Sequence, residues 1–287
     1  MKKILAMLLA LVMVLSLAAC ASTQPAAEPA ASSDAPAESG KTYTVGVCQL
    51  VQHEALDAAT QGFVDALKEA LGDAVTVDVQ NASGDSVNCG TIVNGFVSKG
   101  VDLIMANATP ALTAAVSATA DIPILGTSIT AYGVALDIDD FSGTVGGNVS
   151  GTSDLADLQK QAQMILDWFP ETKTVGLLFC SAEPNSRYQI DEVRKALEAQ
   201  GVTCEEFAFT DSNDVSSVTQ KAADFSDVVY IPTDNTAASN TEAIANVLIP
   251  AGVPAICGEE GLCRGCGVAT LSISYYDLGV TTGKMAA

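Results

Sequence analysis

The chain is poor in several kinds of residue, and each shortage removes a class of function. It has one histidine and one tryptophan in 287 residues, and aromatic residues make up 5% of it. A Ser-His-Asp triad needs a spare histidine, and no Gly-x-Ser-x-Gly elbow is present, so hydrolase chemistry has little to stand on. Lys and Arg total 13 against 34 Asp and Glu, for a net charge of −21. Nucleic acid is therefore excluded as a partner, because binding phosphates needs clustered Lys or Arg. Direct adhesion of the protein surface to anionic lipid is equally disfavoured. The best phosphate-loop candidate, Gly279-Val-Thr-Thr-Gly283-Lys284, is one residue short of the required spacing and is followed by Met285. Gly143-Thr-Val-Gly146-Gly147 does not lead from a strand into a helix and is a poor dinucleotide fingerprint.

What is present begins with an export signal. Met1-Lys2-Lys3 is positive, Ile4 to Leu17 is almost wholly apolar, and Leu17-Ala18-Ala19-Cys20 ends in small residues before a cysteine. These are the parts of a secretory signal peptide, and the run is too short to span about 30 Å of hydrocarbon as a permanent helix. Leu-Ala-Ala-Cys resembles the lipobox of bacterial lipoproteins, which predicts a signal peptide over 1–19 and lipidation at Cys20. Residues 21–40 carry seven Ala, four Ser and three Pro with no aromatic or branched aliphatic residue. Such a segment cannot bury enough apolar surface to fold, so 20–40 reads as a lipidated cysteine on a flexible tether. Loss of Lys2 and Lys3 with the signal takes the net charge from −21 to −23.

From residue 41 onward short β-branched runs alternate with amphipathic stretches. Tyr43–Cys48, Val75–Gln80, Asp102–Met105 and Pro123–Leu125 read as strands, separated by helices over Ala55–Leu71, Asp85–Lys99 and Pro110–Ala118. After an irregular Gly/Ser/Thr-rich stretch over 128–153 the rhythm resumes. Helices are expected over Leu155–Trp168, Ser186–Ala199, Val215–Ala223 and Ala237–Ile249, and strands over Thr174–Cys180, Thr203–Phe209, Val228–Ile231 and Pro254–Cys257. Strands alternating with helices of this length give right-handed βαβ units on a parallel sheet. Gly100 and Gly201 stand where C-terminal helix caps belong. The fold class is α/β: two Rossmann-like lobes with parallel sheets joined by a hinge. Lobe 1 is expected over 41–128 plus about 262–287 and lobe 2 over 129–261, with crossings near 128–150 and 258–270.

In such sheets ligands sit beyond the carboxyl ends of the strands, and the loops there are polar. Candidate ligand-binding residues are Gln49, His53, Thr109 and Thr127 from the first half and Glu183, Asn185, Ser186, Asp234, Asn235 and Glu259 from the second. Hydroxyls, amides and helix N-termini gathered at one edge suit a small polar or zwitterionic ligand. The competing reading is that these residues cap helices, since Ser, Thr, Asp and Asn are favoured there. His53, the single histidine, is weighed evenly between a structural and a functional role. Walls for an aromatic ligand are few: Tyr132, Phe141, Tyr188 and Tyr275.

VGVCQLVQHEALDAATQGFVDALKE, NVSGTSD (148–154), AEPNSRYQI (182–190), IPTDNTAAS (231–239) and GVPAICGEEG (252–261) resemble one family of ABC-importer substrate-binding lipoproteins. Its best-known members capture tryptophan, tyrosine or phenylalanine. The resemblance runs from about 42 to 287. It implies a type I periplasmic-binding-protein fold that closes over a small solute, an amino acid and possibly an aromatic one. A membrane permease and an ATPase would be its partners, with no cofactor, no metal and a monomeric state. A sensor lipoprotein, a binder of nucleosides or sugars, and an unrecognised enzyme remain as alternatives. Ile129-Thr-Ala131-Tyr stands where the family usually has Asp-Pro, and Ser274 where it has Asp before a tyrosine pair. Both departures leave the ligand preference open. The chain ends at Ala287 inside a helical pattern, where similar proteins continue for several tens of residues, so a truncated C-terminus is expected.

Seven cysteines follow Cys20, an odd number for full pairing. Cys257-x5-Cys263-x2-Cys266 admits a disulfide or a metal, but a fourth ligand is missing in sequence reach. Cys48, Cys180 and Cys257 fall on expected buried strands, where they would serve as small apolar side chains.

Overall fold

The computed structural model describes residues 41–287; the signal peptide, Cys20 and the tether lie outside them. Two five-stranded parallel sheets form the frame. The first has the order β2-β1-β3-β4-β5, from β1 (Tyr43–Gln49), β2 (Val75–Asn81), β3 (Leu103–Asn107), β4 (Ile124–Ile129) and β5 (Val149–Ser153). The second has the order β10-β9-β8-β6-β7, from β6 (Thr174–Cys180), β7 (Thr203–Phe209), β8 (Val228–Ile231), β9 (Ala255–Cys257) and β10 (Ala269–Thr270). The sequence explains which strands are central. β4 and β8 are buried at every residue and carry helices on both faces, whereas the edge strand β7 alternates exposed and buried positions.

Helices complete the layers. In lobe 1, α1 (Glu54–Leu71) covers one face of the sheet through Phe63 and Leu67, both fully buried, each worth roughly 1.5–3 kcal/mol of apolar transfer. α2 (Ser86–Lys99) and α3 (Thr109–Ala118) cover the other face through Cys89, Val93, Phe96 and Leu112. A single turn, α4 (Tyr132–Ala135), follows β4. In lobe 2, α5 (Leu158–Trp168) and α6 (Pro184–Glu198) pack on one face and α7 (Val215–Phe225) and α9 (Thr241–Ala251) on the other, with short α8 (Asn235–Ala238) and α10 (Glu260–Cys266) at the strand ends. The lobes repeat one device at their starts. Asp102 accepts from the Thr44 amide at 2.8 Å, and Asp227 accepts from the Thr174 amide at 2.9 Å.

The lobe boundaries differ from the sequence reading. Val149–Ser153, assigned to lobe 2, pairs with β4 in the first sheet, Ile124 opposite Val149. Without it β4, buried throughout, would leave an open edge. At the other end α10 and β10, assigned to lobe 1, belong with the second sheet, since Ala269 pairs with Ile256. The crossings therefore run over 154–157 and 271–274. The Ala237–Ile249 helix is broken in two around Asn240, and Gly100 and Gly201 take positive φ (66° and 85°) as helix ends require.

The last helix, α11 (Tyr275–Ala286), returns to lobe 1 and lies against α1. Glycines make that seam. A Cβ on Gly279 would lie 2.0 Å from the Ala59 carbonyl oxygen, and one on Gly62 would lie 2.1 Å from that of Tyr276. The segment that failed as a phosphate loop is a helix-packing face. Gly151, at φ +149°, makes room for the Tyr132 hydroxyl, which donates to the Gly126 and Thr152 carbonyls. The described cysteines are free thiols; Cys48, Cys180 and Cys257 are buried in their sheets.

Candidate functional site

The carboxyl ends of both sheets face each other across the crossings and leave a narrow cavity of about 20 Å³ between them. From lobe 1 it is lined by His53, Ala55, Leu56, Ser128 and Thr130, and from lobe 2 by Asn185, Thr233, Asp234, Asn235, Ala238 and Glu259. Asp154 and Tyr275, at the two crossings, complete it.

Most of the acidic candidates are committed within their own lobe. Glu183 accepts from the Asn235 and Thr236 amides at 3.1 and 2.9 Å, the Thr236 hydroxyl at 2.8 Å and the Asn235 and Asn185 side-chain amides at 2.6 and 3.1 Å. Asp234 accepts from the Cys180 amide at 2.6 Å and caps α8 through the Ala237 amide at 2.8 Å. Burial, with Glu183 nearby, pushes its pKa up to about 7. Glu259 caps α10, taking the Gly261 and Leu262 amides at 2.6 and 2.5 Å. Each of these carboxylates braces a loop, as the capping alternative anticipated.

Other candidates prove structural as well. Gln49 donates to Asp57 at 2.6 Å and accepts from Thr60 at 2.6 Å, and Asn107 donates to the same Thr60 at 2.9 Å, clamping the head of α1 over β1 and β3. Thr127 sits fully buried beside Thr152 and Thr282, inside lobe 1. Ser186 is also fully buried, beside Asp234. Thr109 borders a separate open groove with Pro110, Thr113 and Pro184. His53, Asn185, Asp234, Asn235 and Glu259 line this cavity, Thr109 and Glu183 line neighbouring pockets between the same two lobes, and Gln49, Thr127 and Ser186 line none of the three. Of the aromatic candidates only Tyr275 reaches this cavity. Tyr132 is inside lobe 1, Tyr188 packs on the core of lobe 2, and Phe141 lies against Gly133. Ser274, at one family departure, caps α11 through the Asp277 amide.

The atoms that remain unsatisfied are the informative ones. Among the described residues nine buried side-chain N or O atoms lack a hydrogen-bond partner, and four of them belong to this cavity's lining: His53 Nδ1, Ser128 Oγ, Asp154 Oδ1 and Asn185 Oδ1. Leaving a buried polar atom unpaired costs about 1–3 kcal/mol, so such a concentration calls for a partner from outside the chain, be it water, ion or ligand. Asp154 is 5% exposed; the Tyr275 hydroxyl donates to its other oxygen at 2.8 Å. Burial raises the Asp154 pKa, with Tyr275 and the nearby Thr130 countering in part. Burial also lowers the pKa of His53, keeping its ring neutral against the pull of Asn235, Glu183 and Asp57. Ser128 holds a positive φ of 56°, a conformation uncommon outside glycine and placed at the cavity edge. Asp154 and Ser128 were not singled out from sequence. Only their position at strand ends within the polar 128–153 stretch and its last neighbour pointed to them.

Comparison with known proteins agrees with this geometry. The family model for "ABC transporter substrate binding protein" matches residues 44–287. A curated "Tyrosine-binding protein" of Clostridioides difficile is 32% identical over 99% of this chain and 83% of its own length. An ABC domain from Streptococcus pneumoniae solved in complex with L-Trp is 33% identical, with a TM-score of 0.82 over 86% of this chain and 84% of that one. A substrate-binding protein with adhesive properties from Clostridium difficile, solved ligand-free and open, is 35% identical over 85% of this chain and 84% of that one, with a TM-score of 0.61. At similar identity this chain superposes better on the L-Trp complex than on the ligand-free, open structure.

Proposed function

Because the chain belongs to the ABC transporter substrate-binding protein family, we propose that its inter-lobe cavity captures one free amino acid for import. Its family is one of binding proteins that work outside the cytoplasm, and its two α/β lobes have the type I periplasmic-binding-protein fold. The observation that carries the amino-acid reading is the set of unpartnered atoms in one small cavity. Asp154 Oδ1 and Asn185 Oδ1 are acceptors suited to an α-ammonium, whose charge would favour the ionised form of Asp154. The Ser128 and Thr130 hydroxyls are donors for an α-carboxylate. Leu56, Ala55, Ala238 and the Tyr275 ring supply the apolar wall for a side chain. The free space is only about 20 Å³, room for about one water, so a bound amino acid requires the lobes to part around it. Relatives that are named for tyrosine or hold L-Trp favour an aromatic ligand.

The test is a calorimetric screen of the protein against the twenty amino acids, nucleosides and monosaccharides. Saturable binding of one or a few amino acids, aromatic ones foremost, is expected; binding only of a sugar or nucleoside would overturn the reading. The same proposal places a lipid on Cys20 and a monomeric receptor beside a membrane permease and its ATPase. Labelled fatty acid should enter the chain and fail to enter a Cys20→Ala variant.

A further inference from the structure

We propose that His53 couples closure of the lobes to recognition of the ligand's ammonium, because closure fixes its imidazole with Nδ1 as a bare acceptor on a residue that lines the cavity. This rests on the amino-acid reading above and adds the residue that senses closure.

The argument starts at Glu183, whose carboxylate is held by backbone and side-chain donors of lobe 2 and can only accept. The Asn235 side chain meets it at 2.6 Å, which must be through Nδ2. Asn235 Oδ1 is thereby turned toward lobe 1, where it lies 3.2 Å from His53 Nε2. An amide oxygen has no proton to give, so Nε2 carries the hydrogen. Burial keeps the ring neutral. A neutral imidazole has one N–H, and Nδ1 is left as a lone pair, shut from solvent and unpartnered, on a residue that lines the cavity. With Asp154 Oδ1 and Asn185 Oδ1 that makes three acceptors, the number of N–H bonds on an ammonium.

The relay spans the cleft: Glu183 and Asn235 belong to lobe 2, and His53 stands at the head of α1 in lobe 1. Beside it Glu54 pairs with Arg264 of α10, a second link between lobes. Opening breaks the relay, lets water reach both ring nitrogens and returns the ring toward its ordinary pKa of about 6.5. The charged and titratable groups around His53 are Asp57 on its own helix, Glu183 and Asp234 of lobe 2, Glu259 at α10, and Asp154 with Tyr275 at the crossings. The closed state demands a neutral ring, so it is disfavoured as pH falls below the ordinary value. A protonated ring would also set a donor and a positive charge against the ligand's ammonium.

The chain contains a single histidine, so the experiment needs no assignment. The full chain, in detergent and without added histidines, is labelled with 15N-histidine and titrated with L-tryptophan and with L-tyrosine, calorimetry running in parallel. The saturated protein at pH 7 should show a protonated Nε2 and an unprotonated Nδ1, titrating below the ordinary range. The ligand-free protein should show averaged tautomers and an ordinary pKa. Asn235→Ala should return the saturated spectrum toward that average. His53→Gln should bind at least tenfold more weakly at pH 8 and lose much of the wild type's further weakening toward pH 5.5. A saturated protein with Nδ1–H or a charged ring at pH 7, or binding that leaves the histidine spectrum unchanged, overturns the inference alone. Failure of every amino acid to bind overturns the amino-acid reading and this inference with it.

Discussion

Four carboxylates stand at the carboxyl ends of the strands, and they divide into two kinds. Glu183, Asp234 and Glu259, all of lobe 2, have both oxygens filled by backbone amides. Asp154, at a crossing between lobes, has one oxygen on Tyr275 and the other on nothing. Residue type and burial are alike; what differs is the number of donors the fold supplies. Loop carboxylates given two backbone donors hold the cavity wall in shape, and on the proposed function the one given too few is the group that meets the ligand's ammonium.

The largest expected effect comes from removing that charge. Asp154→Asn should weaken amino-acid binding by about 2–5 kcal/mol, read by calorimetry, while leaving the melting temperature of the ligand-free protein unchanged or higher. The sign follows from its raised pKa. A carboxyl harder to ionise in the folded state than in the unfolded one gives stability below its unfolded pKa of about 3.9 and loses it as pH rises through the folded value. A neutral amide escapes that loss and can still accept from Tyr275. Comparable stability losses at Asp154 and Glu183 would collapse the distinction between the two kinds.

Next in size, Glu183→Ala should cost about 2–3 kcal/mol of stability, because it strands the Asn235 and Thr236 amides in a buried loop. Denaturant unfolding would show it. Smaller again, Glu259→Ala should remove a helix cap worth roughly 0.5–2 kcal/mol and leave affinity within a few-fold of the parent. A hundredfold loss of affinity there would put Glu259 among the ligand's partners.

The smallest effect is graded. The ligand-induced rise in melting temperature should shrink from pH 7.5 to pH 5, because protonation of Asp154 and His53 removes an anion and adds a cation where the ammonium sits. In Asp154→Asn the residual slope should be shallower and follow His53 together with Asp234, whose pKa is pushed up to about 7.

Much of this fold was legible in the sequence, and the failures have causes. β1, β6 and β8 read as continuous apolar runs of buried parallel strands, and the long helices carry the 3.6 period of amphipathic elements. Val149–Ser153 does not: one of its five residues is buried, and Gly151 is there to clear Tyr132. α10, with two glycines in seven residues, and the two-residue β10 are too short to show a period. Missing these three moved both lobe boundaries. At the site, the loops were found but the roles were not. A carboxylate that caps a helix and one that awaits a ligand are the same letter, and only the donors around it tell Asp154 from Asp234. His53 was legible as a candidate because it is alone; its tautomer depends on Asn235, 182 residues away.

The central claim is that the cavity recognises an ammonium through acceptors the fold leaves unpaired. The most direct measurement is a calorimetric titration of the protein with L-tyrosine and L-tryptophan against their N-acetyl derivatives. The same side chain and carboxylate are kept, and only the ammonium is lost. Binding of the free amino acids with at least a hundredfold loss on acetylation is the predicted result. Equal affinity for both forms would contradict the account.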